Sequence, residues 1–372
     1  MKPRLFIGNF DFEHRLAEPN RETPAKLQQL NAEMATAWLS IARDGDWIWT
    51  PFPINIAFFH EAVQQGLPNV IPVNSFSEVP RDVECVPWGW STEIRTLVKR
   101  YGWSANAPSE AAVRRANSRA TSDELERLWN VGLDQSRRIE SLEQVNAAIY
   151  ALRRSADRWV VKAEYGMSAR ERILGCGAMT ISDENWIRRR LTAQRVVFFE
   201  PWVDRIGEVG IQIDIPENGE PQFIGLTPML VDGRGQYVGS WFAFHDERFA
   251  VERAFWPNAM SVAMQAATHL QSLGYFGPVG IDVMVYRDES GAQRVRPLQD
   301  INARWTMGRL ALGWRRLLKP GDEGCWRHTS TSDSTELPEF QPTRMISTSP
   351  DLVGNTQCHH LSRILIQLTE NK

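Results

Sequence analysis

The chain has 372 residues, with 42 Lys and Arg against 45 Asp and Glu and a formal net charge of −3. That length suffices to bury the cores of two or three domains, and the near-balance of charge excludes general attraction to nucleic acid or anionic lipid, so any anion site must be local. Four scattered cysteines, Cys85, Cys176, Cys325 and Cys358, form no CxxC pair, which argues against a disulfide framework or zinc knuckle and makes a reduced cytoplasmic chain the default. The apolar run before Asn9 is too short for a signal-peptide core, and no stretch is long enough to span a bilayer.

The first third alternates strand and helix signals. "RLFIGNF" reads as a buried strand, residues 23–42 as an amphipathic helix, "WIWTPF" as a strand, "INIAFFHEAVQQG" as a helix ending at Gly66, and "NVIPVN" as a strand. Such a βαβ series predicts an open parallel sheet. After "VECVP", Ser91 is placed to cap the helix "TEIRTLVKRYG". Trp88, Gly89 and Trp90 then lie at a strand's carboxyl end, where open α/β sheets gather ligands, although a packed strand-to-helix turn is the plainer reading. Neither GxGxxG nor GxxxxGK[ST] occurs.

The organisation changes from about residue 106. "SEAAVRRAN" reads as a short helix, and the capping-box patterns "TSDE" and "SLEQ" place helices near 123–131 and 142–154. Lys162 ends the β-prone "RWVVK", and "EYGMSARER" links it to a returning strand. A cation at the root of such a loop suits phosphate oxygens, and a strand lysine also reads as a snorkelling surface residue. Arg170 and Arg172 read either as a clamp for a substrate carboxylate or as a solvated charged loop. The helix "SDENWIRRRLTAQ" precedes two strands interrupted at Pro201, whose missing N–H stops a ladder. Residues 200–203 could there offer adenine a carboxylate and main-chain partners, with Glu208 left for ribose; taken alone, the stretch reads more plainly as an ordinary bend between two strands.

The strongest signal is "PLQDINARW" (297–305), where Asp300, Asn302 and Arg304 alternate onto one strand face. The strand "GPVGIDVMVY" and the turn "RDESGAQ" precede it, predicting a hairpin. About Gly291, Asp282 and Asp300 are equidistant and face each other. Two opposed carboxylates repel unless one is protonated or a cation intervenes, and Mg²⁺ binds through such carboxylates together with substrate phosphates. Arg304 would extend the cationic side of that site. A bulge in the hairpin would make the pairing accidental. Downstream, the polar stretch 320–342 reads as a long loop or cover before the ordered "RMISTSP" and "LSRILIQL". "CHH" at 358–360 is rejected as a metal site, because adjacent residues point apart.

The order of a Lys loop, "FFEPWVDRIGEVGIQ", "GIDVMVYRDESG" and "LQDINAR" resembles the ATP-grasp superfamily of carboxylate-amine ligases over roughly 110–313; D-alanine:D-alanine ligase is the member whose pattern aligns most readily. The resemblance implies an amino-terminal α/β domain (1–105), a small ATP-grasp domain with the Lys loop (106–195), and a carboxy-terminal domain with the Mg²⁺ site (196–372). It implies ATP and Mg²⁺ as cofactors. By position, Lys162 and Arg119 become phosphate ligands; Glu200, Trp202 and Val203 the adenine hinge; Glu208 the ribose acceptor; Asp282, Asp300 and Asn302 the metal ligands. Lys162 and Arg304 carry the catalytic charge. Two departures stand out: Asp300 replaces the usual Glu, and the Lys loop has only Gly166 before Gly175.

The activity so implied is ATP-dependent amide or peptide bond formation through an acyl phosphate, on amino acids or related small metabolites. The partners are a carboxylate and an amine, with no nucleic acid or membrane, and a homodimer is the candidate assembly. His245 and His269 are bases by type only. The alternatives are a nucleotide-binding regulatory module without ligase activity, and acyl transfer to a non-amine acceptor.

Overall fold

The computed structural model describes residues 2–19, 22–152, 157–166, 171–244, 256–330 and 340–368. The predicted βαβ series forms a parallel sheet in the order β3-β2-β1-β4, from β1 (Arg4–Ile7), β2 (Trp47–Trp49), β3 (Ile71–Val73) and β4 (Glu84–Pro87). Leu5, Phe6 and Ile7 are all buried, as a central parallel strand covered on both faces requires. Helices α1 (Phe12–Ala17), α2 (Ala25–Met34), α3 (Ile56–Gln64) and α4 (Thr92–Tyr101) accompany it. Ser91 caps α4 as expected, its Oγ accepting from the Ile94 N–H at 3.4 Å. The helix read over 23–42 divides: α2 ends at Met34, and Ala35–Ser40 tightens into a fully buried 3-10 turn.

A second layer begins with α5 (Glu110–Ala116) and α6 (Arg119–Trp129). The "TSDE" pattern does not open α6. Ser118 does so, its Oγ accepting from Ala120 N–H at 3.2 Å, while the Thr121 hydroxyl donates back to Arg115 O at 2.6 Å and is unavailable as a cap. Strands β5 (Arg137–Ile139), β6 (Arg158–Ala163), β7 (Arg172–Cys176) and β8 (Val197–Pro201) form an antiparallel sheet ordered β5-β8-β6-β7. It is backed by α7 (Leu142–Ala151) and α8 (Ile181–Gln194). Ser141 caps α7, and Thr180 with Asp183 forms a reciprocal capping box on α8. Because β8 pairs with β6, a boundary at 195 falls one strand early.

The third layer is an eight-stranded sheet, order β13-β12-β9-β10-β11-β14-β18-β15. Its strands are β9 (Asp204–Ile215), β10 (Gln222–Val231), β11 (Tyr237–Ala243), β12 (Gly277–Arg287), β13 (Gln293–Asn302), β14 (Glu323–Ser330), β15 (Arg344–Ser347) and β18 (His360–Gln367). A two-stranded ladder of β16 (Leu352–Val353) and β17 (Thr356–Gln357) interrupts it in sequence, and α9 (Trp256–Ser272) and α10 (Met307–Gly313) pack against it. β14 corrects the reading of 320–342 as a loop: Cys325 and Trp326 are core residues, and the polar His328 is bonded by Ser362 of β18. Residues 331–339 lie outside the described residues.

One core runs from Phe6 and Trp38 through Ile211 and Ile281, joining the first and third layers. A close backbone approach between them is at Gly313, where a Cβ would lie 2.6 Å from the Ser40 carbonyl oxygen. Backbone cannot yield as a side-chain tip can. Gly313→Ala should therefore destabilise the chain by about 1–3 kcal/mol, measured as a lowered denaturation midpoint at unchanged m-value.

Candidate active site

The predicted hairpin exists, and β12 meets β13 with Asp282 opposite Asp300 and Gly280 opposite Asn302. Nearer the turn the ladder follows a different count, Val285 opposite Val295 and Met284 opposite Arg296, and a bulge between Asp282 and Met284 restores the site register. The symmetric count about Gly291 thus holds at the carboxylates and fails at the turn. Burial, then the charges of Asp300 and Glu208, push the Asp282 carboxyl up to about 7. Asn302 Nδ2 donates to Asp282 Oδ2 at 3.1 Å, and Arg119 donates to Asp300 Oδ2 at 3.0 Å. Among the described residues, no group of three or more His, Cys, Asp and Glu forms a metal cage. A divalent ion here would rest on two carboxylates, the Asn302 amide and oxygens from its substrate, the donor set that Mg²⁺ prefers.

These residues line a cleft of about 290 Å³ to which all three layers contribute. Arg119, Lys162, Glu208, Asp282, Asp300, Asn302 and Arg304 all face it. Glu208 Oε1 accepts from Arg205 at 3.1 Å and Gln299 at 3.2 Å. Arg304 donates to Glu13 at 2.5 Å and to Asn302 Oδ1 at 3.0 Å, and its guanidinium sits 5.1 Å from the Trp88 ring centre. Trp88 is thus both a packed turn residue and a cleft wall, its ring 4.7 Å from that of Phe10. Gly166 also lines the cleft; Arg170 and His245 lie outside the described residues. Arg172 lines the mouth and donates to Arg234 O, whereas His269, in the last turn of α9, does not reach the cleft.

Glu200 does not line the cleft. Its carboxylate is buried and ion-paired: Lys162 Nζ lies at 2.7 Å, and Arg296 bonds both oxygens at 3.0 and 3.1 Å. Oε2 thus takes two of these bonds and Oε1 one. Trp202 and Val203 do not line the cleft either; the indole is packed by Arg158 and Arg205. Arg296 also forks onto Glu126 of α6 at 2.5 and 2.8 Å. Burial alone would raise the Glu200 carboxyl, and Arg296 with Lys162 outweighs it, holding the group well below the usual carboxylate range. Neither Arg296 nor Glu126 belongs to any sequence motif. The only hint of a buried partner is the placing of Arg296 between Val295 and Pro297, on the run into the apolar Leu298.

No protein-family model matches the sequence, and no curated protein matches it. Solved structures do match in shape. N5-carboxyaminoimidazole synthetase of Staphylococcus aureus, solved with ADP, gives a TM-score of 0.53 at 10% identity, covering 100% of this chain and 94% of that one. Biotin carboxylase of Campylobacter jejuni, in a β-γ-ATP complex, gives 0.56 at 11%, covering 99% and 88%. The biotin carboxylase domain of Hydrogenobacter thermophilus 2-oxoglutarate carboxylase, solved with MgADP, ADP and bicarbonate, gives 0.54 at 10%, covering 99% and 86%. These likenesses establish the architecture: the chain has the ATP-grasp fold.

The ion chain Glu126–Arg296–Glu200–Lys162 crosses from α6 through β13 into the small sheet. Removing its central cation takes from Glu126 its Arg296 partner and leaves Glu200 with Lys162 alone, so one buried carboxylate is stranded and a second is half-compensated. Arg296→Met should cost about 3–5 kcal/mol in unfolding free energy, whereas Lys162→Ala leaves Glu200 bonded to Arg296 and should cost less. Equal losses in urea titrations would contradict this ordering.

Proposed function

We propose that the chain is an ATP-dependent carboxylate-amine ligase that forms an amide or peptide bond through an acyl phosphate, acting on small metabolites such as amino acids. The observation that carries this reading is the Asp282–Asp300 pair, held face to face in the same cleft as Lys162 and Arg119. A carboxylate does not acylate an amine at neutral pH until its oxygen carries a better leaving group. In the proposed reaction a substrate carboxylate oxygen attacks the γ-phosphorus of ATP, and the bond to the β–γ bridging oxygen breaks to release ADP. The amine nitrogen then attacks the acyl carbon, phosphate departs with its bonding pair, and the nitrogen gives up a proton.

Lys162 and Arg119 would hold the phosphates, each giving up or sharing its present carboxylate partner as the anion arrives. Asp282, Asp300 and Asn302 would hold Mg²⁺, which supplies positive charge against the negative charge that spreads over the transferring phosphoryl oxygens. Glu208 remains the candidate for ribose. Glu200 and the main-chain groups of 202–203, which lie outside the cleft lining, remain the candidates for adenine. Arg304, beside Trp88 and Asn302 and paired with Glu13, is the candidate cation for a donor carboxylate.

The metal assignment generates a signed pH dependence. A carboxyl raised to about 7 contributes stability when protonated and loses it as pH rises through that value. Mg²⁺ should therefore raise the thermal midpoint more at pH 8 than at pH 6, where it must first displace a proton, and Asp282→Asn should abolish that difference. In an ADP-release assay, chelation should stop turnover. Asp300→Asn should reduce it at least about tenfold at limiting Mg²⁺, while Asp300→Glu, which keeps the charge at a partly exposed position, should retain much of it. Full ADP release by the Asn variant without Mg²⁺ would overturn the proposal.

A further inference from the structure

The cleft extends well beyond the two aspartates. It crosses the face of the eight-stranded sheet, reaching Thr227 on β10, Ser240 on β11, His328 on β14 and Ser362 on β18. In this far lobe the Tyr237 hydroxyl shares a hydrogen bond with Ser240 Oγ at 2.9 Å, and His328 Nδ1 shares one with Ser362 Oγ at 2.7 Å. The imidazole is held between aromatic rings, 4.5 Å from Trp326 and 5.6 Å from Tyr237. Its Nε2 is buried with no hydrogen-bond partner, a state that costs free energy unless something supplies one. Leu30 and Met34 of α2 and Met229 complete the wall with apolar surface.

The two recognising groups of the lobe, His328 and Tyr237, are uncharged. Burial, then neighbouring His360, depress the His328 pKa to about 3, so the ring is uncharged at neutral pH, and burial keeps the Tyr237 phenol protonated. Among the described residues, no Lys or Arg from β10, β11, β14 or β18 lines the cleft. The cations lie on α6, β6, β7 and the start of β9, or, in Arg304, against Glu13. Behind the lobe a carboxylate, Glu33, accepts the His359 and His360 N–H groups at 3.0 and 3.1 Å. A substrate carboxylate placed here would be desolvated with no Lys or Arg and only the His360 imidazole to offset its charge, which is unfavourable. The near end of the cleft, by contrast, carries Glu13, paired with Arg304, and Asp282 and Asp300, the proposed metal ligands.

We infer that the far lobe is the seat of the amine acceptor, and that this acceptor ends in an uncharged hydrogen-bonding group, a hydroxyl or carboxamide that meets His328 and Ser362, rather than in a carboxylate. The inference rests on the ligase reading for the word acceptor, while the lobe's preference for a neutral tail stands on its own lining. His328 is a recognition residue here, with no part in the bond-making step.

The probes are ω-amino alcohols from aminopropanol to aminohexanol, each paired with the ω-amino acid of the same length. Calorimetric titration of the full chain without ATP should show at least one alcohol binding more than about tenfold tighter than its paired acid. His328→Phe, which keeps an aromatic ring but no polar atom, should weaken that alcohol by up to about tenfold. His328→Gln, which restores a polar group, should recover part of the loss. Acids binding as well as alcohols, no alcohol binding at all, or alcohol binding unchanged in a folded His328→Phe protein would each overturn the inference. An ADP-release assay on the same pairs separates the two claims. Release with amino acids alone refutes the neutral-tail acceptor and leaves the ligase reading intact; His328-dependent alcohol binding without any ADP release refutes the ligase reading and leaves the lobe assignment intact.

Discussion

Two carboxylates fixed opposite each other on one hairpin set the terms for everything around them. The backbone holds Asp282 and Asp300 in register, so they cannot relax apart, and the cleft is too sheltered for water to screen them fully. A proton, an arginine or a metal must compensate. The first two act together here, since the Asp282 carboxyl is raised and Arg119 reaches Asp300. Under the proposed reading, an incoming cation with polyanionic phosphates would replace both.

The cations of the site are themselves anchored by a deeper network. Arg296 is buried between two glutamates, and one of these also binds Lys162. Buried ion pairs are poor sources of net stability but are costly to break singly. Here the network fixes the root of Lys162 relative to α6 and β13, so the ammonium is positioned by groups that lie outside the cleft. Trp88 plays an analogous part on the opposite wall, where its ring and the Glu13 carboxylate hold Arg304.

Much of this was legible in the residues. Alternation in "QDINAR" placed Asp300, Asn302 and Arg304 together, and the βαβ rhythm pointed to the parallel sheet, because period and turn chemistry are local properties. What was not legible depended on partners far away in the chain. The residues around Glu200 give no sign of its ion-pair partner Arg296, which lies 96 residues later. β14 looked like a polar loop because the residues that satisfy it, Ser362 among them, come from a strand 34 positions on. The hairpin count survived at the aspartates only because a bulge offset its error at the turn, and no local signal fixes a bulge.

The shape shared with nucleotide-bearing carboxylases and synthetases extends over nearly the whole chain at 10–11% identity, so the chemistry must be settled on this chain's own side chains. The most direct test is a crystal structure with a non-hydrolysable ATP analogue and Mg²⁺. The expected result is a cation bridging Asp282 and Asp300 to the phosphates, with Asn302 alongside and Lys162 turned toward the nucleotide. A nucleotide bound with no cation at the two aspartates, or bound outside this cleft, would contradict the metal-assisted ligase reading.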